Sequence, residues 1–187
     1  MKVLAFAASN NKNSINQRLA LYTAGLIENA EVETLDINDY EMPIFSAARE
    51  EQLGQPKEAI TFFNKLAEAD AIIISFAEHN GTFTAAFKNL YDWTSRINKA
   101  IFGNKPALFL ATSPGPGGAK SVLVTAEKSA SFMGADVKGS VSIPSFFENF
   151  DTESNCLINP VFKTKIKQAV DQLVDATISD QMSANAY

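Results

Sequence analysis

Four polar side chains follow the first apolar run of the chain, at the point where a helical pattern begins. The apolar run covers residues 3–8 and is typical of a buried parallel strand. The helical pattern starts at Ile15. Because free N–H groups and the dipole of a helix N-terminus favour anions, this junction predicts a phosphate site. The side chains that add hydroxyl and amide donors to the junction are Ser9, Asn11, Ser14 and Asn16.

The kind of phosphate follows from what the junction lacks. It has no GxxxxGK[ST] sequence, which disfavours a P-loop ATPase, and no GxGxxG, which disfavours a dinucleotide-binding Rossmann fold. A loop of serine and asparagine without glycine suits a terminal monophosphate. A simple turn with Ser14 as the helix N-cap is an equally good interpretation of these residues alone.

Two further loops have residues that suit a flat heterocyclic ring. The loop at 77–84 contains Gly81, whose freedom to adopt a positive φ lets the chain turn against a planar ligand. The N–H groups of Asn80 and Gly81 would then meet the edge of the ring. The loop at 112–118 has three glycines and two prolines, which expose backbone N–H groups without bulky side chains. Each loop alone is more consistent with turn chemistry, but their position at one sheet edge favours a binding site.

Strands and helices alternate along the chain and place these loops together. Strands are predicted at 2–8, 31–36, 70–76, 106–112 and 136–143. Helices are predicted at 14–29, 55–69, 84–99, 119–133 and 161–177, with irregular segments at 39–49 and 144–160. The alternation predicts a single α/β domain over residues 1–178, with a parallel sheet between helices, and a frayed tail at 179–187. The three loops then follow strands 1, 3 and 4, at the edge where such sheets bind ligands.

Composition limits the function classes. The 187 residues are 46% hydrophobic and 20% charged, with a net charge of −5, which is ordinary for a soluble globular protein. The sequence has no basic cluster for nucleic acid and no apolar run long enough for a membrane span. Its single cysteine, Cys156, and single histidine, His79, predict neither an internal disulfide nor a zinc site. A cytoplasmic protein without a metal is therefore expected.

Residues 8–16 resemble the first motif of the NAD(P)H-dependent FMN reductases of the flavodoxin-like superfamily. This family includes quinone, chromate and azo-dye reductases. Its motif is close to Gly-Ser-x-Arg-x-x-Ser-x-Asn, which the chain matches at Ser9, Ser14 and Asn16. The chain departs from the motif at Ala8, which stands at the glycine, and at Asn11, which stands at the arginine.

Residues 77–93 resemble a longer and more specific motif of the same family. That motif is close to Pro-Glu-Tyr-Asn-Gly-Ser-x-Pro-Gly-x-Leu-Lys-Asn-x-x-Asp-Trp. Among the departures, His79 replaces the tyrosine, and Thr84 and Ala85 replace the Pro-Gly pair. The matching residues are Glu78, Asn80, Gly81, Lys88, Asn89, Asp92 and Trp93.

The resemblance implies a flavodoxin-like, three-layer α/β/α fold with strand order 2-1-3-4-5 and FMN bound at the three loops. It also implies hydride transfer from NADPH or NADH to FMN, and then to a small-molecule acceptor such as a quinone, a flavin or an azo compound. A homodimer or homotetramer is expected on the same basis. No catalytic side chain is predicted, because the flavin itself performs the chemistry. The residues expected at the cofactor are Ser9, Asn11, Ser14, Ile15, Asn16, Glu78, His79, Asn80, Gly81, Ser113, Gly117 and Gly118.

Gly117 and Gly118 are expected to offer N–H groups to the electron-rich edge of the flavin. Two other functions remain open at this stage. A flavodoxin-type electron carrier would bind FMN without oxidising NAD(P)H, although the ring-flanking Trp and Tyr usual in such carriers are missing here. A nucleotide-binding or regulatory module with a degenerate flavin site is the other alternative, because Asn11 replaces the arginine of the motif.

Overall fold

A computed structural model describes residues 1–184 of the chain. The strands are β1 (Lys2–Ala8), β2 (Glu31–Leu35), β3 (Ala71–Phe76), β4 (Glu78–His79), β5 (Thr82–Phe83), β6 (Lys105–Thr112), β7 (Ala135–Ile143), β8 (Phe150–Asp151) and β9 (Cys156–Leu157). The α-helices are α1 (Ile15–Ala24), α2 (Ala47–Leu53), α3 (Lys57–Glu68), α4 (Ala85–Thr94), α5 (Lys120–Met133), α6 (Phe146–Asn149) and α7 (Pro160–Ala184). A short 3-10 helix covers Ile37–Tyr40.

The five long strands form one parallel sheet in the order β2-β1-β3-β6-β7. Counting long strands alone, this is the predicted order 2-1-3-4-5, so the flavodoxin-like prediction is confirmed. The remaining strands form two small antiparallel ribbons, β4 with β5 and β8 with β9. Parallel neighbours need a crossover connection, and the long helices between the strands supply it.

Side-chain alternation along the central strands separates two hydrophobic cores. In β1, Leu4 and Phe6 enter one core, whereas Val3 and Ala5 enter the other. All six residues of β3 are buried, as expected of a strand covered on both faces. The core on the Leu4 side packs against α3, α4 and α5, and the opposite core packs against α1 and α7.

Several element boundaries differ from the predicted ones. Helix α1 ends at Ala24, five residues before the predicted end, because Gly25 caps it and Asn29 turns the chain with φ 58°. Helix α4 ends at Thr94 and not at residue 99. Helix α2 begins inside the first segment predicted as irregular, 39–49, and runs past its end to Leu53. The second such segment, 144–160, contains α6 and the β8–β9 ribbon.

The last helix is longer than predicted. It runs to Ala184, whereas the sequence analysis ended it at residue 177. No glycine or proline occurs from residue 161 to 184, so nothing in the sequence stops the helix. Residues 185–187 of the predicted tail lie outside the described residues. Within residues 1–184, no helix is both long and apolar enough to cross a membrane.

Candidate functional site

Two buried serine hydroxyls lie in the loop after β1. Ser9 is 8% exposed and Ser14 is 7% exposed. The Ser9 Oγ accepts a hydrogen bond from the Asn11 N–H at 3.3 Å. The Ser14 Oγ accepts one from the Gln17 N–H at 3.2 Å. Because both oxygens accept, each hydroxyl hydrogen remains available to an acceptor such as a phosphate oxygen.

The same loop ends at the N-terminus of α1. Ser14 is the N-cap, so the capping interpretation of this residue is confirmed alongside its place in the loop. Asn11 shapes the turn, since its Oδ1 accepts from the Asn13 N–H at 2.9 Å. Among residues 1–184, the backbone N–H groups of Ile15 and Asn16 find no protein acceptor. These N–H groups and the helix dipole leave positive potential beside the two serines.

The Asn16 side chain lies inside the protein and holds this edge of the sheet together. It is 3% exposed. Its Oδ1 accepts hydrogen bonds from the Ser75 Oγ at 2.7 Å and from the Thr112 N–H at 3.1 Å. Its Nδ2 donates to the Thr112 carbonyl at 3.2 Å. The amide therefore joins α1 to the carboxyl ends of β3 and β6, a role that the sequence analysis missed when it expected a donor facing the loop.

A cavity of about 300 Å³ adjoins this loop on the β2 side. Its three charged side chains are Lys12, Asp36 and Asp39. One oxygen of Asp36 already has a hydrogen bond within the protein. Its Oδ1 accepts from the Asn38 N–H at 2.9 Å and so caps the 3-10 helix. The full lining is Ser9, Asn11, Lys12, Ser14, Gln17, Thr34, Leu35, Asp36 and Asp39.

The loop after β3 is a tight hairpin that projects from the sheet. Strands β4 and β5 pair around Asn80 and Gly81, whose φ angles are 51° and 81°. An Asn-Gly pair with two positive φ angles favours this kind of two-residue hairpin. The positive φ expected at Gly81 is confirmed. His79, Asn80 and Gly81 are all exposed at the tip.

The Glu78 carboxylate binds the start of a neighbouring helix. Its Oε2 accepts a hydrogen bond from the Val122 N–H at 2.9 Å, in the first turn of α5. Helix α5 has no side-chain cap of its own, since Ala119 stands at its N-cap with φ 55°. Glu78 therefore caps α5 from a distance and connects the hairpin to the loop after β6.

Thr84 joins the hairpin to the loop after β1. Its Oγ1 donates to the Ala8 carbonyl at 3.1 Å and accepts from the Phe87 N–H at 3.2 Å, at the start of α4. The Phe83 ring packs on Phe76 and Phe87 at 5.5 and 5.4 Å between centroids. A single threonine thus caps α4 and fixes the two loops side by side.

The loop after β6 is held by the segment that follows β7. The Ser113 Oγ donates to the Gly115 carbonyl at 3.1 Å, inside the loop. The Gly115 carbonyl also accepts from the Ser145 N–H at 2.9 Å, and the Ser113 carbonyl accepts from the Phe146 N–H at 3.0 Å. Phe146 is buried against Phe150, with ring centroids 4.6 Å apart. The loop is therefore fixed by backbone bonds and leaves Gly117 exposed.

Gly117 and Gly118 have different surroundings. A Cβ on Gly117 would meet nothing within 4 Å, whereas one on Gly118 would lie 2.5 Å from the Ser142 Oγ. Gly118 also has φ 62°, and its N–H turns back to the Gly115 carbonyl at 3.4 Å. The expectation of a free N–H thus fits Gly117 better than Gly118, which seats the loop on β7.

Asn89 and Trp93 hold a strap, defined here as residues 41–54, across α4. The Asn89 Nδ2 donates to the carbonyls of Met42 and Pro43 at 3.0 and 3.2 Å. Its Oδ1 accepts from the Phe45 N–H at 2.8 Å. The Trp93 Nε1 donates to the Pro43 carbonyl at 2.7 Å. This role was not predicted from the sequence, where its only signal is the presence of both residues in the longer motif.

Comparison with known proteins gives the family of the chain. The model of the family described as NADPH-dependent FMN reductase matches residues 1–148. The chain belongs to this family. It is therefore an oxidoreductase of the flavoprotein class that depends on FMN and NAD(P)H, as the sequence analysis predicted.

Two curated relatives are named as reductases, and one solved structure has the same fold. An NADPH:quinone oxidoreductase from Arabidopsis thaliana is 27% identical over 189 residues, covering 95% of this chain and 92% of the relative. An NAD(P)H-dependent FMN reductase from Pseudomonas aeruginosa is 29% identical over 119 residues, covering 62% of this chain and 61% of the relative. Among solved structures, the FerB flavoenzyme from Paracoccus denitrificans superposes with a TM-score of 0.75 at 22% identity, covering 95% of this chain and 97% of that one.

The residues at the three loops fit FMN. Two buried hydroxyls with free hydrogens and two unpaired N–H groups suit a phosphate monoester. The open space at Gly117 leaves room for a flat ring to approach the backbone. Among residues 1–184, no group of three or more His, Cys, Asp or Glu side chains is placed to hold a metal ion.

Proposed function

We propose that this reductase binds FMN across the loops after β1, β3 and β6 and passes reducing equivalents from NADPH or NADH to a small-molecule acceptor. The observation that carries the proposal is the physical connection of the three loops. Thr84 joins the first loop to the second, Glu78 joins the second to the third, and Asn16 ties the start of α1 to the ends of β3 and β6. Loops joined by such bonds are preorganised, which lowers the entropy cost of binding a ligand across them.

The loop after β1 takes the phosphate. The hydroxyls of Ser9 and Ser14 and the N–H groups of Ile15 and Asn16 donate to its oxygens, and Asn11 keeps the turn open. The Asn16 side chain acts indirectly, through the bonds that seat α1 on the sheet.

The other two loops take the ring. The N–H groups of Asn80, Gly81 and Gly117 face its polar edges, and His79 stands at the hairpin tip, where it borders the ligand. FMN held by these loops would supply the chemistry of hydride and electron transfer. The residues that shape these loops without direct contact are Glu78, Ser113 and Gly118.

The acceptor is a small oxidised organic molecule, such as a quinone, a flavin or an azo compound. Support comes from the activities for which the relatives are named, which include quinone and FMN reduction. We also propose a homodimer or homotetramer in the cytoplasm. Size-exclusion chromatography with light scattering measures the assembly, and cell fractionation measures the location.

An anaerobic absorbance titration tests the proposal. FMN is added to the purified protein, unbound flavin is removed, and NADPH or NADH is then added without oxygen. Retained flavin bands that bleach with either nucleotide, and recover with a quinone, support the reductase. Bands that persist with both nucleotides indicate a flavodoxin-type carrier, and failure to retain flavin indicates a degenerate site.

A further inference from the structure

The sheet ends on one side at β7, and the outer edge of this strand has no neighbouring strand within residues 1–184. We propose that the second half of this edge and the adjoining face of α7 bind a second copy of the chain about a two-fold axis. The two β7 strands run antiparallel there and join the sheets of the two copies into one. This inference rests on the proposed assembly of the reductase, and it does not depend on where FMN binds.

The two edge strands of the sheet differ in the features that prevent pairing. Strand β2 covers five residues, and Glu31 and Glu33 place charges along it, as is usual for an edge that stays unpaired. Strand β7 covers nine residues, and residues 139–143 contain neither a charge nor a proline. The bulge of β7 and its Lys138 both come before this stretch. The second half of β7 is therefore an edge that favours pairing with another strand.

Backbone groups on this half of β7 are available for pairing. Within residues 1–184, the backbone of residues 139–142 hydrogen-bonds only to β6. In a parallel pair, alternate residues direct their N–H and C=O groups to the neighbouring strand, so the remaining groups point away from the sheet. Ser140 is exposed, and a cavity of about 320 Å³ lies between residues 139–142 and α7. An added strand would find unpaired donors and acceptors along this edge.

The face of α7 beside the cavity is complementary to itself. Lys165, Gln168 and Gln172 line the cavity. Asp175 follows them on the same face of the helix, because the spacings are three, four and three residues. When two α7 helices pack antiparallel about residue 170, Lys165 lies opposite the partner's Asp175. Gln168 then lies opposite the partner's Gln172, so a basic end meets an acidic end across a neutral centre.

Both charges of this face are free to form such a pair. The seven ion pairs found within residues 1–184 include neither Lys165 nor Asp175, and both residues are exposed. A two-fold axis repeats each contact, so one dimer gains two lysine–aspartate pairs. The helix and the strand also agree in level. A Cβ on Gly139 would lie 2.8 Å from the Ala169 Cβ, which places the middle of the helix face beside the unpaired half of β7.

Charge reversal and its restoration test this interface. Sedimentation equilibrium of the full-length protein at graded concentrations gives the dissociation constant of the oligomer. Lys165→Glu and Asp175→Lys, each alone, should raise this constant by about 10- to 30-fold, because two attractive pairs become repulsive. The double variant should restore the constant to within about threefold, which damage to α7 would not do. Ser140→Lys should also weaken association, since like charges would then face each other near the axis.

Lys163→Glu is the matched control, because this exposed lysine lies two residues from Lys165 and so on a different face of α7. Its dissociation constant should match wild type. A wild-type tetramer that falls to a dimer in both single variants also supports the interface. A monomeric wild type overturns the inference together with the proposed assembly. An oligomer that neither single variant weakens, or that the double variant does not restore, overturns this interface alone, and flavin retention with NADPH oxidation tests the proposed reductase separately.

Discussion

Gly117 and Gly118 are adjacent residues with opposite constraints, which makes them a matched pair. Gly118→Ala would place a Cβ 2.5 Å from the Ser142 Oγ and 2.9 Å from the Pro144 nitrogen, at a positive φ. We expect this variant to lower the free energy of unfolding by about 1–3 kcal/mol. Gly117→Ala meets no protein atom within 4 Å, so its stability should match wild type.

The two glycine variants also separate folding from binding. Because the flavin is proposed to approach Gly117 closely, Gly117→Ala should weaken FMN binding although the protein is fully stable. Urea unfolding and FMN titration of both variants measure the two effects. Wild-type FMN affinity in Gly117→Ala would show that the ring does not approach this backbone.

The capping role of Glu78 leads to a second prediction. Glu78→Ala removes the acceptor of the Val122 N–H, and Ala119 offers no replacement cap. The free energy of unfolding should fall by about 1 kcal/mol, with a smaller loss for Glu78→Gln, which keeps an acceptor without the charge. Chemical denaturation measures both. Glu127→Ala, an exposed position farther along α5, is the control and should be close to neutral.

Asn16 shows why residue types predict a site better than they predict roles. Its position after the β1 loop and its amide both suggested a phosphate donor. The side chain turns inward because Ser75 and the Thr112 backbone need polar partners at the buried ends of β3 and β6. These hydrogen-bond partners lie on strands far away in the sequence, so residues 8–16 alone could not predict the inward orientation of the Asn16 side chain.

At the scale of elements, the strap over α4 takes three of its hydrogen bonds from the Asn89 amide. Asn89→Ala removes three hydrogen bonds to the strap, including the acceptor of the Phe45 N–H. Hydrogen exchange at Phe45 should accelerate, and the free energy of unfolding should fall by about 1–3 kcal/mol. Mass-spectrometric hydrogen exchange of residues 41–46 makes the measurement.

The other end of the strap offers a control for Asn89. Arg96 pairs with Glu50 of α2 through its Nε, at 2.9 and 3.0 Å from the two carboxylate oxygens. Because this pair is on the surface, Arg96→Gln should change the free energy of unfolding by less than about 1 kcal/mol. Unchanged exchange at Phe45 in Asn89→Ala would mean that Trp93 alone holds the strap.

Elements were predictable where burial imposed a pattern and not elsewhere. The apolar run of β3 identified that strand to within one residue, because both of its faces are covered. Helix α2 was not predicted because it buries no residue, so its sequence has no apolar face with helical spacing. The two-residue strands of the hairpin were missed as strands, although Asn80 and Gly81 marked the turn.

At the scale of the whole molecule, the order of the strands came from the family resemblance. Periodicity and alternation indicated a parallel sheet, but they do not state which strands are neighbours. The neighbours are set by long-range contacts such as Phe6 with Ile74 and Ile74 with Phe109, which join segments far apart in the sequence. Side-chain bridges between the loops, such as Thr84 to Ala8, follow only after that order is known.

Ion pairs at the edge of the sheet opposite the loops tie β1, β2 and α3 together. Glu33 of β2 lies 2.6 Å from the Lys65 Nζ and 3.1 Å from the Lys2 Nζ. The hydrogen bond from Lys65 is the main reason that the pKa of Glu33 is lowered from 4.5, with Lys2 adding to the effect and partial burial opposing it. A carboxyl with a lowered pKa binds fewer protons when folded, so it stabilises the fold above its ordinary pKa. This stabilisation is lost as the pH falls through the lowered value.

Glu33→Gln should therefore reduce global stability at neutral pH and have little effect in acid. The difference in unfolding free energy from wild type should be up to about 1 kcal/mol at pH 7, because the three side chains are partly exposed. It should shrink as the pH drops below 4.5 and as salt is added. Urea unfolding across this pH range measures the difference, with Glu31→Gln on the same strand as the control. A difference that persists undiminished in acid would mean that Glu33 stabilises the sheet edge through packing and hydrogen bonding, with no contribution from its charge.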